Sequence, residues 1–180
     1  MSEREGPTER ELIQAAAAGN MGAFAQLVQT YRARVLRTAY GLLGSLEEAE
    51  DVAQEVFIKV WKGLPNYRPS GSLANWLYRI TVNTAIDTLR KRHETFPLDG
   101  QELDPQPHPE ETVLRHDRQS QVRAAIQALP SNARAALILR EYEQLSYKEI
   151  AAVLQIPLGT VMSRLNYARN RLKELLEETS

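Results

Sequence analysis

Near its C-terminal end the sequence sets hydroxyls, amides and guanidiniums along one side of a helix. In TVMSRLNYARNRL (160–172), Val161, Leu165, Ala168 and Leu172 form an inner stripe, because residues three, four and seven apart share a helix face. Thr160, Ser163, Arg164, Asn166, Tyr167, Arg169, Asn170 and Arg171 are left outside. Hydroxyls and amides can read base edges, and arginines can clamp phosphates while their helix lies in a major groove. Upstream, Ser146 and Glu149 have capping-box spacing, which starts a short helix at Tyr147. Ile150, Ala151 and Leu154 share its face, and Ile156 lies in a tight turn. Two short helices joined by a turn, with the small Ala151 where they cross, make a helix-turn-helix. The bland reading is a solvated face on a helical bundle. Residues 118–180 hold 9 Lys and Arg against 6 acids, and that charge favours DNA.

A second constellation lies in WLYRITVNTAIDTLRKR (76–92). At 100° per residue, Tyr78, Val82, Ala85, Ile86 and Leu89 gather inward. Trp76, Arg79, Asn83, Asp87 and Arg90 gather on the opposite side, with Lys91 and Arg92 extending the charge. A ring, an amide and several cations on one face suit single-stranded or melted nucleic acid, whose bases stack on rings while phosphates meet cations. The competing reading makes Trp76 a packing residue. The preceding loop NYRPSGS (66–72) carries Asn66, Tyr67 and Arg68, and loops of this kind can pocket an extruded base.

A third constellation has the opposite charge. In AEDVAQEVFIKVW (49–61), Ala49, Val52, Ala53, Val56, Phe57, Val60 and Trp61 form the core side, and Asp51, Gln54, Glu55 and Ile58 lie opposite. A purely solvated face needs no isoleucine; a lone exposed one is ordinary, so the weight lies in its grouping with Asp51, Gln54 and Glu55 at helical spacing. A carboxylate metal site at Glu47, Glu48, Glu50, Asp51 and Glu55 is the enzyme alternative. Di-metal bundles use Glu-x-x-His pairs, and none of His93, His108 and His116 follows an acid at that spacing. The sequence therefore predicts no cofactor, no metal and no catalytic residue.

These faces need helices to carry them. Apolar residues recur at three- and four-residue spacing, which predicts an all-α fold. Helices are expected at about 8–18, 21–43, 46–63 and 73–92, then at about 112–128, 131–142, 147–154 and 158–177. Gly19-Asn20, Gly44-Ser45, Pro130 and Ile156-Pro157 mark breaks. Between the sets lies FPLDGQELDPQPHPEETV (96–113), with four of the nine prolines, five acids and no Lys or Arg. It reads as an extended acidic linker. The predicted organisation is a helical domain over 1–95, a linker over 96–113 and a helix-turn-helix domain over 114–180. A net charge of −1 names no partner. The lack of cysteine fits a reducing cytoplasm, and no run approaches the roughly 18 apolar residues of a membrane span. A soluble, cytoplasmic protein without direct membrane insertion is expected.

With these stretches in order, the sequence resembles the extracytoplasmic-function (ECF) sigma factors of bacterial RNA polymerase. The resemblance runs from about residue 8 to residue 178. It rests on GNMGAFAQLVQTY, EEAEDVAQEVFIKVW, NWLYRITVNTAIDTLRKR and ALPSNARAALILREYEQLSYKEIAAVLQIPLGTVMSRLNYARNRL. It implies a region-two bundle and a region-four helix-turn-helix joined by a flexible linker, in a protein that binds core polymerase and directs it to promoters. By resemblance, Asp51, Gln54 and Glu55, with Ile58 beside them, fall where the family docks on the β′ clamp helices, and the β subunit is a further expected partner. The loop 66–72 matches the one that captures a flipped base of the −10 element. Trp76, Arg79 and Asn83 match positions that meet the melted strand, with Arg90 and Lys91 beyond them. Thr160, Ser163 and Arg164 match readers of the −35 element, flanked by Tyr167, Arg169 and Arg171. The family is commonly held inactive by an anti-sigma factor, in a stress or envelope response. The sequence departs from the family pattern at Asn20-Met21 and Asn166-Tyr167.

A two-domain regulator that binds duplex DNA by itself is the alternative, and it differs in needing no polymerase. As a sigma factor, two weak DNA contacts held on one polymerase surface would act at high effective concentration. The acidic linker would be repelled by DNA phosphate and suited to a basic channel.

Overall fold

The computed structural model describes residues 6–68, 71–95 and 117–178. Eight α-helices and one 3₁₀ turn account for the secondary structure of those residues, in the order α1 (Glu9–Ala17), α2 (Met21–Leu43), α3 (Leu46–Gly63), the 3₁₀ turn (Leu64–Asn66), α4 (Leu73–Thr95), α5 (Asp117–Gln127), α6 (Ser131–Glu141), α7 (Tyr147–Leu154) and α8 (Leu158–Glu178). The chain is all-α, with a helical domain on either side of the linker segment. The linker at 96–113 lies outside the described residues.

Local chemistry sets the helix ends. Thr8 caps α1 and exchanges bonds with Glu11: the Thr8 N–H donates to Glu11 at 2.8 Å and the Glu11 N–H donates back to Thr8 Oγ1 at 3.3 Å. That puts Thr8 outside the helix it was expected to begin. Asn20 caps α2, accepting from the Ala23 N–H at 3.0 Å, and Ser45 caps α3. The expected capping box of Ser146 and Glu149 starts α7. Helix α2 ends at Gly44, whose φ of 74° is left-handed and favours glycine. Helix α7 ends with Gln155 at φ 54°. Helix α4 runs to Thr95, three residues beyond the expected end, and the proposed start of α5 at 112–116 lies outside the described residues.

Helices α2, α3 and α4 bury Leu27, Val35 and Leu42 against Val52, Val56 and Val60 and against Leu77, Val82 and Ala85. In the second half, α6 and α7 pack on α8 through Leu139, Ile150, Val153, Val161 and Leu165. The two sets are not separate in space. Ala135, Ala136, Leu139 and Leu145 belong to the same apolar cluster as the core of α2–α4. A smaller cluster of Ile126, Leu129, Ala133, Leu137, Ile138 and Ala168 lies beside it.

This shared core widens the buried arc of α4. Tyr78, Val82 and Ala85 are inward as expected, and Ile86 and Leu89 are half-buried. Leu77, Thr81 and Thr84 are buried as well, because α4 is packed by α2 and α3 on one side and by α7 on the other. Thr81 satisfies its hydroxyl within the helix by donating to the Leu77 carbonyl at 2.8 Å.

Candidate nucleic-acid interface

The outer face of α8 is set by burying every third or fourth residue of the helix. Val161, Leu165 and Ala168 are buried and Leu172 is half-buried. Ser163, Asn166, Tyr167, Arg169 and Asn170 are exposed, and Thr160, Arg164 and Arg171 are half-exposed. Met162, which the helical wheel did not single out, is 53% exposed on the same surface. Ser163 donates to the Thr160 carbonyl at 3.0 Å, which leaves its oxygen lone pairs available. Arg164, Ser163 and Tyr167 line one side of a shallow depression whose other side is Pro130, Asn132 and Ala133 at the start of α6.

The arginines of this face are not equivalent. Arg169 reaches Glu141 at 3.1 Å and the Tyr147 hydroxyl at 3.4 Å, bracing α8 against α6 and α7. Its pKa is raised first by the bond to Tyr147, then by that to Glu141. Arg171 pairs with Glu174 one turn on at 3.0 Å. Such exposed pairs contribute little to stability.

In the first half, the loop after α3 folds a ring pair onto the start of α4. Tyr67 lies 4.7 Å from Trp76, centroid to centroid, at 33°. Trp76 in turn covers Gly63, where a Cβ would stand 3.0 Å from its ring. Trp76 is therefore partly a packing residue, as the competing reading had it, and its half-buried ring still edges the α4 face. Burial raises the Tyr67 phenol above its ordinary pKa, with the charge of Glu9 adding to it. Asn66, Arg68, Asn83, Arg90 and Lys91 are exposed. Arg79 is half-buried with its Nε unpartnered, and Arg90 pairs with Asp87 at 3.3 Å. Arg92 forms an ion pair with Glu48, tying α4 to α3.

The acidic patch keeps its expected placement. Asp51, Gln54 and Glu55 are exposed and Ile58 is 55% exposed beside them. Underneath, Ala49, Val52, Ala53, Val56 and Val60 are buried, whereas Phe57 and Trp61 are only half-buried. Trp61 meets Phe24 of α2 at 4.9 Å. Lys59 pairs with Glu55 at 2.7 Å and donates to Thr84 at 3.0 Å, so Glu55 is the patch acid already engaged. Among the described residues no group of three or more His, Cys, Asp or Glu could hold a metal, and no helix is long and apolar enough to cross a membrane.

Two charged residues that sequence reasoning passed over lie between the halves. Arg134 of α6 is 7% exposed and donates to the carbonyls of Leu42, Gln127 and Leu129 and to Gln127 Oε1. Its positive charge caps the C-terminal ends of α2 and α5, where carbonyls are orphaned. Burial pushes its pKa down to about 10, so it stays charged at neutral pH. Glu143, between α6 and α7, is inserted among Arg37, Thr38 and Tyr78. A charge inside the apolar run NARAALIL was the available signal for Arg134. Nothing in EYEQLS marks Glu143.

Comparison with known proteins bears on the two helical domains. The family model for sigma-70 region 2 matches residues 27–95, and that for sigma-70 region 4 matches residues 119–172. The chain is 36% identical to the RNA polymerase sigma-H factor of Pseudomonas aeruginosa, over 94% of each chain. It is 34% identical to the ECF RNA polymerase sigma-E factor of Escherichia coli K12, over 92% of each. Among solved structures it is similar to CnrH in complex with the cytosolic domain of CnrY, with a TM-score of 0.74, 26% identity and coverage of 96% of this chain and 99% of that one. It is also similar to the sigma factor RpoE in complex with the anti-sigma factor NepR from Bartonella quintana, with a TM-score of 0.68, 29% identity and coverage of 86% and 96%.

Proposed function

The chain belongs to the sigma-70 family, among the ECF RNA polymerase sigma factors, and from that premise we propose how its three faces divide the work of promoter-specific initiation. Helix α3 docks on the polymerase β′ clamp helices through Asp51, Gln54, Glu55 and Ile58. The Tyr67–Trp76 ring pair, Asn66 and Arg68 beside it before α4, and the α4 face through Arg79, Asn83, Arg90 and Lys91 meet the melted −10 strand. Helix α8 reads the −35 duplex through Thr160, Ser163, Arg164 and Tyr167, with Arg169 and Arg171 on phosphates.

The observation that carries this reading is the division of exposed surface by chemistry among three helices of one chain. The acids and an exposed isoleucine sit on α3, rings and cations sit at the start and along α4, and hydroxyls with arginines sit on α8. Carboxylates beside an apolar anchor suit a basic protein groove. Rings with cations suit unstacked bases, and a helix-turn-helix suits a major groove. No step requires a cofactor.

The protein acts in the bacterial cytoplasm under the control of an anti-sigma factor. A related sigma factor solved with its anti-sigma factor supports that last point. The test is promoter binding by the purified chain with and without core polymerase. Specific binding that needs the core enzyme agrees with this function; equally tight specific binding by the chain alone assigns it to the self-sufficient regulators.

A further inference from the structure

Neither docking nor base reading uses Glu143. Its carboxylate is nonetheless among the most fully engaged in the described residues. The side chain is 1% exposed. It accepts from Arg37 Nε at 2.8 Å and Nη2 at 2.7 Å, from Thr38 Oγ1 at 3.2 Å and from Tyr78 Oη at 2.7 Å. All of these donors lie in the first helical domain, on α2 and α4, whereas Glu143 is in the second.

The loop that presents it is held in shape. Gln144 adopts φ 59° and donates its side-chain amide to the Glu141 carbonyl at 3.0 Å, and the Leu145 N–H donates to the Leu139 carbonyl at 3.1 Å. About one turn along α2 from Thr38, two more contacts cross the same seam. The Gly41 carbonyl accepts from Gln127 at 2.9 Å and the Leu42 carbonyl accepts from Arg134. Ile138 packs so closely on Gly41 that a Cβ there would lie 2.8 Å from its Cδ1. The seam is thus a shaped plug seated in a socket, flanked by a helix cap.

We propose that Glu143 is an intramolecular latch: seated among Arg37, Thr38 and Tyr78, it holds the helix-turn-helix against α2 and α4 in the free chain and must leave that socket before both DNA faces engage one promoter. The need to open follows from length, and this part rests on the sigma-factor reading. Elements whose names set them about 25 base pairs apart are separated by roughly 85 Å at about 3.4 Å per step. A compact chain of this length has a radius of gyration of about 16 Å, hence a diameter of only about 40 Å. The closed molecule cannot span both elements.

The chemistry suits a contact that must release. Each partner can rehydrate when the seam parts, so the attraction of the pair is largely balanced by the water it displaces. The docking patch is exposed in the closed molecule, with Ile58 at 55%. Polymerase can therefore seize α3 first, and opening follows as the second domain is drawn to its own place on the enzyme.

The chain contains no cysteine, so Lys62→Cys on α3 and Lys173→Cys on α8 allow two spin labels to report the separation of the domains by pulsed electron paramagnetic resonance. The unmodified latch should give one narrow distance. Glu143→Ala and Arg37→Ala should give a longer, broader distribution, and Tyr78→Phe an intermediate one, with helix content by circular dichroism unchanged. A shift of the closing equilibrium by roughly 10²-fold is expected for loss of a buried charge partner. Glu143→Gln, which keeps the shape, should open the seam less than the alanine.

The same proteins are then assayed for initiation with core polymerase. Opened variants should form promoter complexes at lower concentration, because the competent fraction is larger. An unchanged distance in Glu143→Ala overturns the latch. A longer distance with promoter use equal to wild type overturns its inhibitory role. A longer distance with no specific initiation by any variant, wild type included, leaves the latch standing and overturns the sigma-factor reading.

Discussion

Across the seam between the two helical domains, Tyr78 of α4 donates its hydroxyl to Glu143 at 2.7 Å. Burial, then this bond and the charge of Glu143, hold the phenol above its ordinary pKa of 10.0. Below pH 10 the tyrosine is protonated whether the chain is folded or not, so it adds no pH dependence. Above pH 10 the unfolded chain releases this proton first, and stability falls as pH rises toward the folded pKa. Tyr78 should account for up to about 1.4 kcal/mol lost per pH unit in that range. Tyr31, buried beside Glu9, is raised in the same way and adds its own slope. Urea unfolding from about pH 9 to about pH 11 should therefore give Tyr78→Phe a shallower alkaline decline than wild type. Parallel declines would mean that Tyr78 keeps no proton the unfolded chain loses.

Arg134 should be costly to remove for a different reason. Its guanidinium serves the carbonyls of Leu42, Gln127 and Leu129 from a site 7% exposed. In Arg134→Met those acceptors lose their donor. Each buried acceptor left unpaired costs about 1–3 kcal/mol, so a loss of about 3 kcal/mol in urea unfolding is expected. Arg134→Lys should recover only part, because an ammonium cannot reproduce the forked geometry.

The α3 patch should behave as a docking surface. Asp51→Ala and Gln54→Ala are expected to weaken binding to core polymerase while the circular dichroism spectrum stays that of the wild type. Ile58→Ala should cost about 1–2 kcal/mol of binding, on the order of a 5- to 30-fold rise in Kd. Loss of helix content instead would make these residues structural.

On α8, Arg164→Ala should lower promoter use without lowering polymerase binding. If Arg164 reads a base, the loss should be confined to promoters carrying that base pair, at about 1–3 kcal/mol. If it holds phosphate, the loss should be uniform across sequences and the salt dependence should fall by about one counterion. Equal loss of polymerase binding and promoter use would remove it from the −35 face.

What could be read from the sequence was local. Ser146 with Glu149, Asn20 and Gly44 mark helix ends because capping is decided within four residues. The faces of α3 and α8 followed from periodicity, since each packs on one side. Helix α4 did not follow so well, because periodicity assumes one buried stripe and α4 has neighbours on two sides. The seam could not be read at all. Glu143 meets Arg37 across 106 positions of chain, and no spacing rule connects residues so far apart. Arg134 broke the apolar pattern of α6 and could have been questioned on that ground, but its acceptors are backbone carbonyls, which carry no sequence signal. Trp76 has both the packing role and the exposed edge, and the sequence offered these as alternatives.

The central claim is that this chain gives core polymerase its promoter. Transcription of a genomic fragment library by purified core enzyme, with and without the chain, tests it directly. Discrete start sites that appear only with the chain, and share one pair of upstream elements, are the predicted result. The same start sites with core enzyme alone, or no specific start sites with the chain added, would contradict it.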